Sequence, residues 1–143
     1  MYELAELIIM TTDIGNMRKG NMKINKINFD EKFAKLPDGD YAVGIVAKMN
    51  NYEFKVVKFK GDFIWHRHEE TDETFIVLAG TLVMSFRDRT VEINKGAMIV
   101  IPKGVEHKPS SVNGYKVLLI EPEGVPNTGN VKSDLTIKKI EWV

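Results

Sequence analysis

All three histidines of this chain, His66, His68 and His107, fall inside two spaced motifs, and those motifs restrict the fold more than any other feature. The first reads Gly61-x4-His66-x-His68-x4-Glu73-x6-Gly80, and the second Gly96-x5-Pro102-x-Gly104-x2-His107. Side chains two apart on a strand share a face, so His66 and His68 point the same way in an extended stretch. Thr71-Asp72 marks a turn, and Glu73 opens the apolar run after it, which brings its carboxylate back beside the two imidazoles. His107 must arrive from a distant part of the chain. Three imidazoles and one carboxylate suit Zn, Fe, Ni, Co or Mn. Glu69, Glu70 and Asp72 compete with Glu73 but sit in the polar loop EETD, where solvated acids are expected.

From Tyr41 onward the pattern is all-β. Strands are expected over Tyr41–Lys48, Tyr52–Lys60, Ile64–Arg67, Glu73–Ala79, Thr81–Arg87, Thr90–Ile93, Ala97–Ile101 and Lys116–Glu121, separated by turns that include Gly80 and Asn113-Gly114. Short strands at this spacing predict a sandwich or a barrel. Before them, Asn28 is expected to cap a helix over Asp30–Leu36 that Pro37-Asp38-Gly39 ends. Leu4, Leu7 and Ile8 stand at helical spacing in the first residues. Arg18-Lys19-Gly20 can be written in purine-rich codons of the kind that precede a start codon. Met22 is therefore expected to be the physiological start, with residues 1–21 an extension and 22–143 one domain. Leu135–Val143 carries Leu135, Ile137, Ile140 and Trp142, a last strand for the barrel or for a partner.

The segments FIWHRHEETDETFIVLAG, SFRDRTVEINKGAMIVIPKGVEHKP and LLIEPEGVPNTGN carry a resemblance to the small single-domain bacterial members of the cupin superfamily, from about Lys23 to Gly129. The resemblance implies a jelly-roll barrel, the double-stranded β-helix. It also implies one divalent transition metal ion on His66, His68, Glu73 and His107, and a small-molecule ligand. It does not name a reaction. There is one departure: cupins often carry Asn four residues after the last histidine, and here that residue is Ser111.

Composition removes several functions. The 20 basic residues balance 20 acidic ones, so no global field draws in nucleic acid or an anionic membrane. Residues 1–40 offer no basic recognition surface, and a DNA partner is not expected. With no cysteine there is no disulfide, iron–sulfur cluster or thiol nucleophile. No apolar run reaches the ~18–20 residues that span a bilayer, and the acidic leading segment makes a poor signal peptide, so a cytoplasmic location is expected. No P-loop or Gly-x-Gly-x-x-Gly pattern occurs. With every histidine in the metal motifs, no Ser-His-Asp triad is available.

The expected function is a metal-dependent enzyme of oxygenase, isomerase or decarboxylase type acting on a small polar molecule such as a sugar or carboxylate. The alternative is a non-catalytic small-molecule-binding or sensing module. Glu121, Lys58 and Tyr115 are the candidates for a general acid or base. Lys58 and Lys60 are further candidates to hold an anionic ligand. Phe75 and Val77 share parity with Glu73 and are expected inside the barrel, while Trp65 faces the other way and is expected to pack. Arg87 and Arg89 are expected in rim salt bridges, and Asn127-Thr128-Gly129 over the barrel mouth. Exposed sheet edges and apolar residues at both chain ends predict a homodimer.

Overall fold

The computed structural model describes residues 24–143. The expected boundary at Met22 and the helical pattern over Tyr2–Met10 lie outside the described residues. The first element is a short helix, α1 (Phe29–Ala34), whose cap is the expected one: Asn28 Oδ1 accepts from the Glu31 backbone N–H at 3.0 Å. Asp30 and Glu31 sit in its first turn, against the positive end of the helix dipole. Phe33 is its buried residue.

Six strands follow: β1 (Tyr41–Met49), β2 (Tyr52–Asp62), β3 (Glu73–Ser85), β4 (Thr90–Asn94), β5 (Met98–Ile101) and β6 (Lys108–Pro122). All pairs are antiparallel, in the order β1-β2-β6-β3-β4, with β5 also on β3. The interior cluster takes Val57 and Phe59 from β2, Phe75, Val77, Leu82 and Met84 from β3, Ile93 from β4, Ile101 from β5, and Tyr115, Val117 and Leu119 from β6. One sheet that supplies a common core from five of its strands must wrap around that core, and this is the expected jelly-roll barrel. A second cluster lies on the outer face, where Phe33 and Leu36 cover Ala42, Val46, Val56 and Leu118.

Four expected boundaries are corrected. Glu73–Ala79 and Thr81–Arg87 are one strand, because Gly80 (φ +72) lets β3 pass through a register shift without turning. Asn113-Gly114 is likewise no turn but part of β6, which starts at Lys108 and pairs with both β2 and β3. Ile64–Arg67 is not a strand; only His66 bridges, to His107. Leu135–Val143 contributes a single parallel bridge, Ile45 to Trp142. There the backbone N–H of Val143 donates to the Ile45 carbonyl at 3.0 Å and Val143 packs on the outer cluster.

Candidate metal centre

The two histidine motifs are stitched together by main chain. The His66 N–H donates to the His107 carbonyl at 3.0 Å, and the His107 N–H returns to the His66 carbonyl at 2.9 Å. Gly104, at φ +80, donates to the His68 carbonyl at 2.8 Å. Asp72 closes the loop from the other side by accepting from the Lys103 N–H at 2.9 Å. Strand β3 begins at Glu73, and its alternation turns Glu73, Phe75 and Val77 inward. His66, His68, Glu73 and His107 are all buried, and one ligand atom from each lies within 4.8 Å of every other. Glu69 and Glu70 stay exposed, Glu69 paired with Arg67.

The hydrogen bonds fix which nitrogen faces in. His66 Nδ1 donates to the Ile64 carbonyl and His107 Nδ1 to the Val105 carbonyl, both at 2.9 Å. A carbonyl only accepts, so each Nδ1 carries the proton and each Nε2 keeps its lone pair. Yet His107 Nε2 lies at hydrogen-bond distance, 3.1 Å, from Glu73 Oε2, and His68 Nε2, which has no aligned partner among the described residues, lies 3.2 Å from the same oxygen. With its proton on Nδ1, His107 turns a lone pair toward the carboxylate, and a cation between the two, a proton or a metal ion, offsets their repulsion. Ligands held ~2.1 Å from one ion at right angles stand ~3 Å apart, the spacing seen here. The donor set fits a divalent transition metal, and the buried cluster can hold one.

The charges respond to this crowding. Burial, with the neighbouring His107, lowers the His66 pKa to about 4. Burial also works against the charged form of His68, but the facing Glu73 carboxylate outweighs it and the net shift is upward. Burial opposes the charge on Glu73 as well. Its contacts with His107 and His68 prevail and bring its pKa to about 2, so it is ionised in the pH range of interest.

A cupin-2 domain-containing protein from Shewanella frigidimarina has a known crystal structure that superposes with a TM-score of 0.65. It is 47% identical over 68% of this chain and 94% of its own. This chain belongs to the cupin superfamily. The cupin domain model matches residues 55–120 of it. A Neisseria meningitidis protein of known structure matches at 30% identity over 69% of this cupin and all of its own length, with a TM-score of 0.60. The uncharacterized protein YdbB of Bacillus subtilis is 34% identical over 67 residues, which span 46% of this cupin and 59% of YdbB.

Around the four candidate ligands the cupin shows what the sequence left open. Ser111, the departure from the family pattern, is buried and still ties its loop: its Oγ donates to the Thr81 carbonyl at 2.7 Å and accepts from the Gly114 N–H at 3.0 Å. Asn127 does lie at the barrel mouth, where Nδ2 donates to Tyr41 Oη at 3.0 Å and Oδ1 accepts from the Ile137 N–H at 2.8 Å. Arg87 pairs with Glu106 and stacks over Trp65 at 3.8 Å, and Arg89 pairs with Asp88 at 3.3 Å, as expected of rim residues.

Lys58 and Lys60 do not reach the interior; they line an outer pocket with Lys116. The interior lysine is Lys55, fully buried against Glu121 with Nζ 2.9 Å from Oε1. Sequence reasoning passed over it, although Lys55 shares parity with the inward Val57 and Phe59. Lysine is so rarely buried that its residue type outweighed its position. Lys55, Glu121, His66 and Glu73 line one cavity of about 30 Å³, room for little more than a water. Burial and the nearby Glu73 charge push the Glu121 pKa up to about 7. Burial also raises Tyr115, out of range for a proton carrier at neutral pH.

Proposed function

We propose that His66, His68, Glu73 and His107 hold one divalent transition metal ion, of the group Zn, Fe, Ni, Co and Mn, and that the protein uses it on a small polar molecule such as a sugar or carboxylate. The observation that carries the reading is the convergence of three buried imidazoles on one buried carboxylate, with the Nε2 atoms of His68 and His107 3.1–3.2 Å from a single Glu73 oxygen. When bound, such an ion supplies Lewis acidity, which polarises a carbonyl or acidifies a coordinated water.

The protein's own groups have separable tasks in this reading. The Ile64 and Val105 carbonyls fix the ring orientations of His66 and His107 through Nδ1. Phe63, Phe75 and Leu119 keep bulk water from the cavity. Glu121, with a pKa near neutrality and a free Oε2, is the group able to take or give a proton there. This set suits an enzyme of oxygenase, isomerase or decarboxylase type. A cytoplasmic location, a homodimer and a domain that begins at Met22 belong to the same reading.

A second reading, a module that binds its ligand without turning it over, is favoured by the tightness of the interior cavity, about 30 Å³. Elemental analysis followed by a substrate panel with Fe(II), Mn(II), Ni(II) and Zn(II) separates the two. About one ion per chain and turnover of a panel member are expected for the enzyme. Metal and a ligand-induced rise in melting temperature without turnover indicate the module. Failure to take up any of the four metals overturns both.

A further inference from the structure

The Lys55–Glu121 pair is unusual for a barrel core. Both side chains are 1% exposed, and they hold each other through Lys55 Nζ and Glu121 Oε1 at 2.9 Å. Glu121 Oε2 is buried with no hydrogen-bond partner among the described residues. An unpaired buried polar atom is costly, and a buried ion pair gives little stability in return. The pair therefore leaves one acceptor unused, and Nζ has two N–H groups beyond the one directed at Oε1.

The two residues line the same inner cavity as His66 and Glu73. Lys55 also lines a larger pocket of about 480 Å³ beneath the chain that follows β6, and Asn127 and Ile140 line both. Lys55 thus stands where the outer pocket meets the inner cavity, with Glu121 on the inner side.

We infer that Lys55 and Glu121 form a ligand subsite that takes a hydroxyl group, the hydroxyl accepting from Lys55 Nζ and donating to Glu121 Oε2. Charge decides for a hydroxyl over an ion. With Glu121 ionised the pair is neutral as a whole, so neither an anion nor a cation gains from replacing water there. A hydroxyl is the small neutral group that both donates and accepts. The four candidate ligands have the opposite bias: three neutral imidazoles and one carboxylate around a divalent ion leave a net positive charge, which favours a carboxylate. The ligand class that satisfies both poles is a small hydroxy acid, with its carboxylate toward the metal and a hydroxyl on the pair. This inference rests on the metal-site reading proposed above.

Calorimetric titration of the metal-loaded protein tests it, with the smallest hydroxy acids, glycolate and lactate, set against acetate and propionate, which lack the hydroxyl. The hydroxy acids should bind at least tenfold tighter than their counterparts. The double variant Lys55→Met/Glu121→Leu, which removes both charges together, should erase that difference while keeping its metal content. Glu121→Gln keeps the volume and covers the case in which the double variant does not fold; it should weaken the hydroxy acids alone. Equal binding of both acid types, no binding of either, or an unchanged preference in the variants would overturn the subsite and leave a pair hydrated or structural only. A native protein that takes up no metal fails at the earlier reading, which the metal analysis reports separately.

Discussion

His107 is fully buried, but its contribution to folding and its contribution to the metal centre are separable. The reciprocal bridge with His66 is main chain and survives a change of side chain. His107→Ala should therefore lower metal affinity at least a hundredfold while retaining a cooperative melt, with a stability loss of about 1–3 kcal/mol from the cavity left behind. Metal titration and calorimetry check the two halves, and loss of the folded state on metal removal would mean the ion is structural. The histidines also set the response to acid. Burial lowers the His66 pKa to about 4 from the ordinary 6.5 of an imidazole, so between those values the unfolded chain binds the extra proton. Stability of the metal-free protein is then greatest above pH 6.5 and falls as pH drops toward 4, by up to roughly 3 kcal/mol from His66 alone. Glu73 extends the loss below its ordinary 4.5 toward pH 2, whereas His68, shifted upward, opposes it nearer neutrality. Melting temperatures of metal-free protein across pH 4–7 test this, and a flat profile would contradict it. At this scale the buried cluster was legible because spacing and residue type agree for His66, His68, Glu73 and His107. Lys55 was not, because only its parity placed it inside.

Turns and bulges use the same residues, and this explains what was misread among the elements. Gly80 and Asn113-Gly114 have turn composition but serve as irregular points inside β3 and β6, where two backbones come together. A Cβ on Gly80 would stand 2.1 Å from the Gly114 carbonyl oxygen. That closeness depends on strand pairing between distant segments, which no local pattern reports. The helix cap and the β1–β2 hairpin depend on local residues and were read within a residue or two. The segment after β6 shows the same contrast. Asn130 grips the first histidine motif, its N–H donating to the Arg67 carbonyl at 3.1 Å and its Oδ1 accepting from the Arg67 N–H at 2.9 Å. Gly129, at φ +55, makes this approach possible, since a Cβ there would stand 2.2 Å from the Arg67 oxygen and 3.3 Å from His66 Cδ2. Gly129→Ala should push the segment off the motif, at about 2 kcal/mol or more in stability. It should also weaken metal binding severalfold through His66. Retained metal affinity with a lowered melting temperature would show that the segment supports the barrel but not the ligands.

For the whole molecule, the remaining question is what covers the sheet edges. β5 has four residues, pairs among the described residues only with β3, and alternates sharply: Ile101 is buried, while Met98 and Val100 are 56% and 49% exposed. At the other edge, Trp142 bridges β1 at Ile45 and is 57% exposed. Edge strands with apolar outer residues are normally paired or covered. Two such edges on one small barrel support the expected homodimer, with the twofold arrangement that is commonest for identical chains. Of the C-terminal residues expected to supply the cover, Ile137 and Ile140 are half-buried, with Ile140 lining the inner cavity, and Trp142 is exposed. The wider apolar face is on β5, so that face should carry the contact. Light scattering at micromolar concentration should return twice the chain mass. Met98→Glu with Val100→Lys should halve it without lowering metal content, because both side chains point away from the core. Trp142→Ala should leave the mass unchanged; dissociation by that substitution instead would move the interface to the β1 edge. A monomeric native protein would leave both edges bare and remove the dimer altogether.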